Sequence, residues 1–272
     1  MTVKLSDLLS VFETLWPRSG ADEWDQVGLA SGSLDQQIDK VLFCVDPTLA
    51  VLQEAKAKKC QLVVSHHPLL LEGVHTVAEG ELKGDILSYA ISNSVALFSA
   101  HTNADIVAGG VSDVLASKIG IKNSAPLVVT SKDAGHGRIG TLDEPVTVGE
   151  LAQRINDILP ATHAPVRVAG NVTKKVSKVA VVGGSGASFL PDAISAGADC
   201  FVTSDLKHHV SLDAVSDQAM DICLIDISHF AAESLWLTPA VAELSKLVAG
   251  VEFVVSEITT DPWSLTVPGK LS

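Results

Sequence analysis

The chain has 272 residues, 47% of them hydrophobic and 19% charged, with 4 cysteines and a mean hydropathy of +0.33. That composition excludes a disordered chain, which lacks the apolar residues for a core, and a disulfide scaffold, which needs more cysteine. Acidic residues outnumber basic ones 32 to 19, a net charge of −13 that repels phosphate backbones and disfavours nucleic acid as the main partner.

No apolar run approaches the roughly 20 residues of a membrane span, so no membrane role is expected. The opening residues are polar and acidic, without the basic and apolar regions of a signal peptide. Leu5, Leu8, Leu9, Phe12 and Leu15 then share one helical face. Strand-sized apolar runs follow at Val27–Leu29, Val41–Val45, Leu62–Val64 and Val95–Phe98. Between and after them, spacing predicts helices over about Pro47–Lys59, Asp85–Asn93 and Val111–Ile119. Asp46 before Pro47 reads as an N-cap with proline at the first helical position.

The second half replays this order. A helix over Val148–Leu159 leads into strands at Val166–Ala169 and Lys178–Val182, and a helix near Ser188–Ala196 follows. Next come a strand at Cys200–Thr203, a helix after Lys207, a strand at Ile222–Ile227, a helix over Ala231–Leu247 and a last strand at Val251–Ile258. Each half reads as helix, strand and three strand–helix units, which predicts an α/β fold built by duplication, with mixed, mostly parallel sheets. The repeats are expected at residues 1–130 and 131–272, with the Gly-, Asp- and Lys-containing segment Ser131–Glu144 as their boundary. Cys44, Cys60, Cys200 and Cys223 lie in or beside apolar runs and form no CxxC motif. They read as buried, reduced thiols of a cytoplasmic protein.

The histidines concentrate at strand ends. His66 and His67 follow the run Leu62–Val64; His101 follows Val95–Phe98, with Asp105 four residues on; His229 follows Ile222–Ile227, with Glu233 four residues on. The carboxyl ends of strands line the functional crevice of open α/β sheets. Imidazole and carboxylate are the donors that hold Zn, Fe, Mn, Ni or Co, and an i,i+4 pair shares one face of a helix. Adjacent histidines on extended backbone point apart and can serve different ions. The set exceeds what one tetrahedral ion needs, so two divalent ions are expected, with Glu233 able to bridge them. Taken singly, each histidine also reads as a hydrogen-bonded surface residue.

Other motifs stay ambiguous. Val182-Gly183-Gly184-Ser185-Gly186 reads as a phosphate-cradling turn or as a tight strand-to-helix turn. Within Thr203–His209, the residues Asp205, Lys207 and His208 read as substrate contacts, or Ser204 or Asp205 as a helix cap. His136 and His163 read as loop or surface residues.

With these residues in view, the chain resembles the NGG1-interacting-factor-like family, whose bacterial members are called GTP cyclohydrolase type 2 homologues or dinuclear metal-centre proteins. The resemblance runs almost end to end. It rests on Trp24-Asp25-Gln26-Val27-Gly28-Leu29, Asp46-Pro47-Thr48, Ser65-His66-His67-Pro68, Ala100-His101-Thr102-Asn103-Ala104-Asp105, the glycine turn, Ser204-Asp205-Leu206-Lys207-His208-His209, and Asp226 through Glu233. Gln26, Ser204 and Ser228 depart from the usual Asn, Gly and Gly. The resemblance implies two intertwined α/β repeats, a ring-like homohexamer with metal sites facing its cavity, and metal ligands His66, His67, Asp105, His229 and Glu233. His101 is implied as a further ligand or a partner to the ligands.

The function expected is metal-dependent hydrolysis of a nucleotide such as GTP or a related small molecule, with His101 or His208 shuttling protons. The rival expectation is a non-catalytic metal-binding ring with an interaction, regulatory or chaperone-like role. A DNA-binding ring conflicts with the charge.

Overall fold

Short apolar runs alternating with amphipathic segments fold as a six-stranded sheet, a five-stranded sheet and a small two-stranded sheet, with helices, in a computed structural model, which describes residues 2–131, 134–217 and 220–269. In chain order the elements begin β1 (Val3–Lys4), α1 (Leu5–Leu15), β2 (Gly28–Ser31), β3 (Gln37–Ile38), β4 (Lys40–Cys44) and α2 (Leu49–Ala57). They continue with β5 (Leu62–Ser65), α3 (Leu82–Ser92), β6 (Ala96–Ser99), the one-turn α4 (Thr102–Asp105) and α5 (Val111–Ile119). Then come β7 (Lys122–Ser131), β8 (Ala134–Thr147), α6 (Val148–Ile158), β9 (Arg167–Ala169), β10 (Lys175–Ser185) and α7 (Leu190–Ser195). The chain closes with β11 (Cys200–Ser204), α8 (His208–Ser216), β12 (Cys223–Ile227), α9 (His229–Leu247) and β13 (Glu252–Val255). No helix among the described residues is long and apolar enough to cross a membrane.

The chain forms two compact units: Met1–Val107 with Leu237–Thr260, and Ala108–Trp236 with Asp261–Ser272. The first holds a five-stranded sheet in the order β13-β4-β5-β6-β2, all parallel except β2. Every residue of β5 and β6 is buried, as strands covered on both faces must be. Leu42, Val63 and Leu97 of its strands pack with Val51, Leu52 and Ala55 of α2 and Ile86 and Ala90 of α3.

The second unit holds a six-stranded sheet in the order β7-β8-β10-β11-β12-β9. Here β10, β11 and β12 are parallel, with β9 antiparallel on β12 and β8 antiparallel on β10. The order β2-β6-β5-β4 of the first sheet therefore recurs, with the same strand directions, as β9-β12-β11-β10. The duplication read from the sequence is a duplication of sheet topology, and the C-terminal β13 returns to the first sheet.

Three local readings change. The segment expected as the boundary between the repeats carries strand: Ser131 ends β7 and residues 134–144 belong to β8, which pairs antiparallel with β7 from Lys122–Thr141 to Ser131–Ala134. Its glycines serve close packing, since a Cβ at Gly135 would meet the Val128 carbonyl oxygen at 2.1 Å. Helix α2 is capped by Thr48, whose Oγ1 accepts the Val51 N–H at 3.3 Å, because the Asp46 carboxylate is engaged elsewhere. His136 is half-buried on β8, stacked on Phe189 with ring centroids 5.1 Å apart, whereas His163 is exposed. All four cysteines are free and buried.

Candidate metal centre

In the first unit, β5 and β6 run parallel in register, Ser65 beside Ser99, so the residues that follow leave the sheet at the same level. Backbone pairing continues one step beyond β5. The His66 N–H donates to Cys44 O and the His67 N–H to Val45 O, but both residues lie on a bend rather than on extended backbone, and their rings do not point apart: the centroids are 5.2 Å from each other. His101 follows β6, and α4 then turns the chain so that Asp105 lies four residues on.

The hydrogen bonds fix which nitrogen of each imidazole carries the proton. His66, 1% exposed, has Nδ1 2.9 Å from the Ala100 carbonyl oxygen, which can only accept. His67 Nδ1 lies 2.8 Å from Asp46 Oδ1, and His101 Nδ1 lies 2.9 Å from Asp25 Oδ1. Each oxygen selects the Nδ1–H tautomer and directs the lone pair to Nε2, the arrangement of metal-binding histidines. One ring nitrogen of each of these three histidines falls within 4.8 Å of the other two. His66 Nε2 also faces Asp105 Oδ1 at 3.6 Å, two acceptors that a cation between them would reconcile.

Asp25 is held by several hydrogen bonds. It accepts the Thr102 N–H at 3.0 Å, the Thr102 hydroxyl at 2.6 Å and the Gln26 N–H at 2.7 Å, besides His101. Burial would raise its pKa, but the hydrogen bonds from His101 and Thr102 outweigh it and bring the carboxyl down to about 2.

The second unit repeats the device on its own strands. His229 begins α9, and its Nε2 lies 2.8 Å from Oε1 of Glu233, which is 3% exposed. Its Nδ1 lies 2.6 Å from Asp205 Oδ2, at the end of β11. Ser228 caps α9 by accepting the Ala231 N–H at 3.2 Å and donates to Asp261 Oδ2 at 2.7 Å. Gly183 and Gly184 lie within the last residues of β10 rather than in a turn after it. Gly184 has φ +75°, and a Cβ there would lie 2.4 Å from Glu233 Oε1 and 3.2 Å from His229 Nε2. Glycine lets the backbone approach the donors.

Of the sequence-predicted residues, the first unit thus brings together His66, His67, His101 and Asp105, and the second brings together His229 and Glu233. His208 is exposed at the first position of α8 and lines a groove with Arg167, Leu212 and Asp226. Sequence reasoning missed Asp25 and Asp46 as partners of the histidines and left Asp205 open. The available signal was position: Asp46 follows β4 and Asp205 follows β11, each on the strand beside its histidine. Imidazole and carboxylate oxygen fit Zn, Fe, Mn, Co or Ni, and the fixed tautomers supply the required lone pairs.

Duplicated sheets with histidine and carboxylate at their carboxyl edges define an α/β protein with candidate metal-donor sets. The chain belongs to the Duf34/NIF3 (NGG1p interacting factor 3) family, whose model matches residues 3–262. It is 39% identical to a Streptomyces coelicolor protein called GTP cyclohydrolase 1 type 2 homolog, over 97% of this chain and 95% of that one. Among solved structures it is similar to the Staphylococcus aureus protein SA1388, with a TM-score of 0.87, 28% identity and coverage of 97% and 99%. A Bacillus cereus protein related to NIF3 shares the fold, with a TM-score of 0.88 at 22% identity over 97% of this chain and 99% of that one.

Proposed function

We propose that the chain is a divalent-metal-dependent hydrolase of a nucleotide or related small molecule, holding two ions through His66, His67, Asp105, His229 and Glu233. The observation that carries this reading is the shared orientation of four imidazoles: His66, His67, His101 and His229 each turn Nδ1 to an oxygen acceptor. A surface histidine has no need of such a fixed tautomer; a metal ligand does. The name of the Streptomyces relative supports a nucleotide such as GTP as the first substrate to try. The family resemblance supports assembly as a homohexamer.

Bound ions would supply Lewis acidity, acidifying water and polarising the scissile group. The protein's own part is to hold and move protons. His101 can accept a proton at Nε2 while its Nδ1–H stays on Asp25, whose carboxylate stabilises the imidazolium that results. His208, exposed at the start of α8, can exchange protons with solvent. The buried Glu233 and half-buried Asp105 offset cationic charge.

The test is a hydrolysis screen of nucleotides, phosphoesters and cyclic amides with metal-loaded protein, using His66→Ala as the control. Turnover of one class by the native chain and not by the variant is expected. No turnover, or equal turnover by both, contradicts the enzyme reading.

A further inference from the structure

Of the 4 tryptophans, two are core residues: Trp16 is 4% exposed and Trp236 1%. Trp24 is 57% exposed, yet it sits on one of the most firmly tied turns of the first unit. The Asp25 N–H donates to Asp22 O at 3.0 Å, closing the turn that contains Trp24. On one side the Asp22 N–H donates to Thr102 Oγ1 at 3.0 Å; on the other the Asp25 carboxylate takes the Thr102 N–H and hydroxyl. The same carboxylate orients His101, and the Trp24 ring stands edge-on to His101 with centroids 5.7 Å apart and planes at 81°. His101 is in turn 5.2 Å from the His66 ring and 5.4 Å from the His67 ring. The backbone that carries this large exposed indole is thus tied by hydrogen bonds, and the ring stands against His101 of the donor cluster.

An indole is usually most of the way buried because its area is largely apolar. A rigid and open one pays little ordering entropy when a second flat ring covers it. Its π face stacks on heteroaromatic rings with little regard to their hydrogen-bonding edges. We propose that Trp24 is a stacking platform for a planar heteroaromatic ring of the nucleobase type, carried by a ligand whose polar part reaches the His66, His67 and His101 donors. The proposal rests on the reading of those donors as a working site and names the kind of substrate it takes. Asp25 couples the two halves of the subsite, since one carboxylate ties the Trp24 turn and sets the His101 tautomer.

The experiment uses the full chain loaded with zinc, in a Trp263→Phe background that removes the other exposed indole, 64% exposed. It is titrated with AMP, GMP and UMP, and with ribose 5-phosphate, which has no ring to stack. At least one nucleotide is expected to bind about tenfold or more tightly than ribose 5-phosphate and to quench the Trp24 fluorescence. Trp24→Ala should erase that preference, and Trp24→Phe should keep part of it, with zinc content unchanged in both. No preference for any nucleotide, or a preference that survives Trp24→Ala, would overturn the proposal. So would a Trp24→Ala variant that keeps the preference and changes the assembly seen by light scattering, which would make Trp24 a contact between copies. The readout is binding, so an absence of turnover would sink the hydrolase reading and leave the stacking result standing.

Discussion

Gly184 and Glu233 are in a contact that a side chain on the glycine would disturb: a Cβ there would lie 2.4 Å from Glu233 Oε1, which would have to shift. Gly184→Ala therefore meets both a left-handed backbone, φ +75°, and the carboxylate. Gly197 is a built-in control, with φ +70° and only Lys178 Nζ at 3.9 Å from its would-be Cβ. Both variants should lose about 1–2 kcal/mol from the backbone alone. Gly184→Ala should lose more and should also lose bound metal. Thermal unfolding with metal analysis checks this, and equal metal retention in the two variants would contradict it.

The carboxylates behind the imidazoles should matter nearly as much as the donors. Asp46→Ala removes the acceptor of the His67 Nδ1–H, and Asp205→Ala removes that of His229. Each should weaken metal binding by about 10- to 100-fold through loss of tautomer and ring orientation. Competition against a chelator of known affinity measures it. Native-like affinity in both variants would show that the hydrogen bonds do not orient ligands.

Glu54 contributes to acid stability in the first unit. From α2 it accepts the Glu257 N–H at 2.9 Å and the Ser256 hydroxyl and pairs with Lys58 at 2.8 Å, pinning the chain after β13. Burial would raise its pKa, but these bonds prevail and hold it below the usual carboxylate value. A lowered native pKa means the stabilisation is complete above the unfolded value of about 4.3 and is lost as pH falls through the native value. Wild-type protein should melt above Glu54→Gln at pH 7, and the gap should close below about pH 4. A gap that stays constant to pH 3 would show that the charge contributes nothing.

Glu233→Ala reads the role of that carboxylate. If Glu233 bridges two ions, the variant should lose both, because each loses a charged ligand. Loss of only one ion would make it a terminal ligand.

Much of this was legible because buried parallel strands are short, continuous apolar runs. Leu62–Val64 and Val95–Phe98 in the sequence became β5 and β6 with one-residue shifts, and the chemistry sits where those strands stop. The hairpin of β7 and β8 was not legible. β7 lies largely exposed and its one apolar run, Leu127-Val128-Val129, follows Pro126, while the glycines of β8 required by close packing resemble those of a loop. The i,i+4 spacing of His229 and Glu233 was sufficient to pair them, since α9 begins at His229. The partners Asp25 and Asp46 lie 76 and 21 residues from their histidines and meet them only through sheet pairing and turn geometry. No local pattern encodes such a contact. Asp46 illustrates the ambiguity: in sequence an aspartate before proline reads as a cap, and in the fold Thr48 takes that role.

The most direct test of the metal assignment is the metal content of protein purified without added metal, measured by elemental analysis before and after reconstitution. The proposed two-ion function predicts close to two divalent ions per chain. Well under one ion per chain, unchanged by reconstitution, would contradict the account.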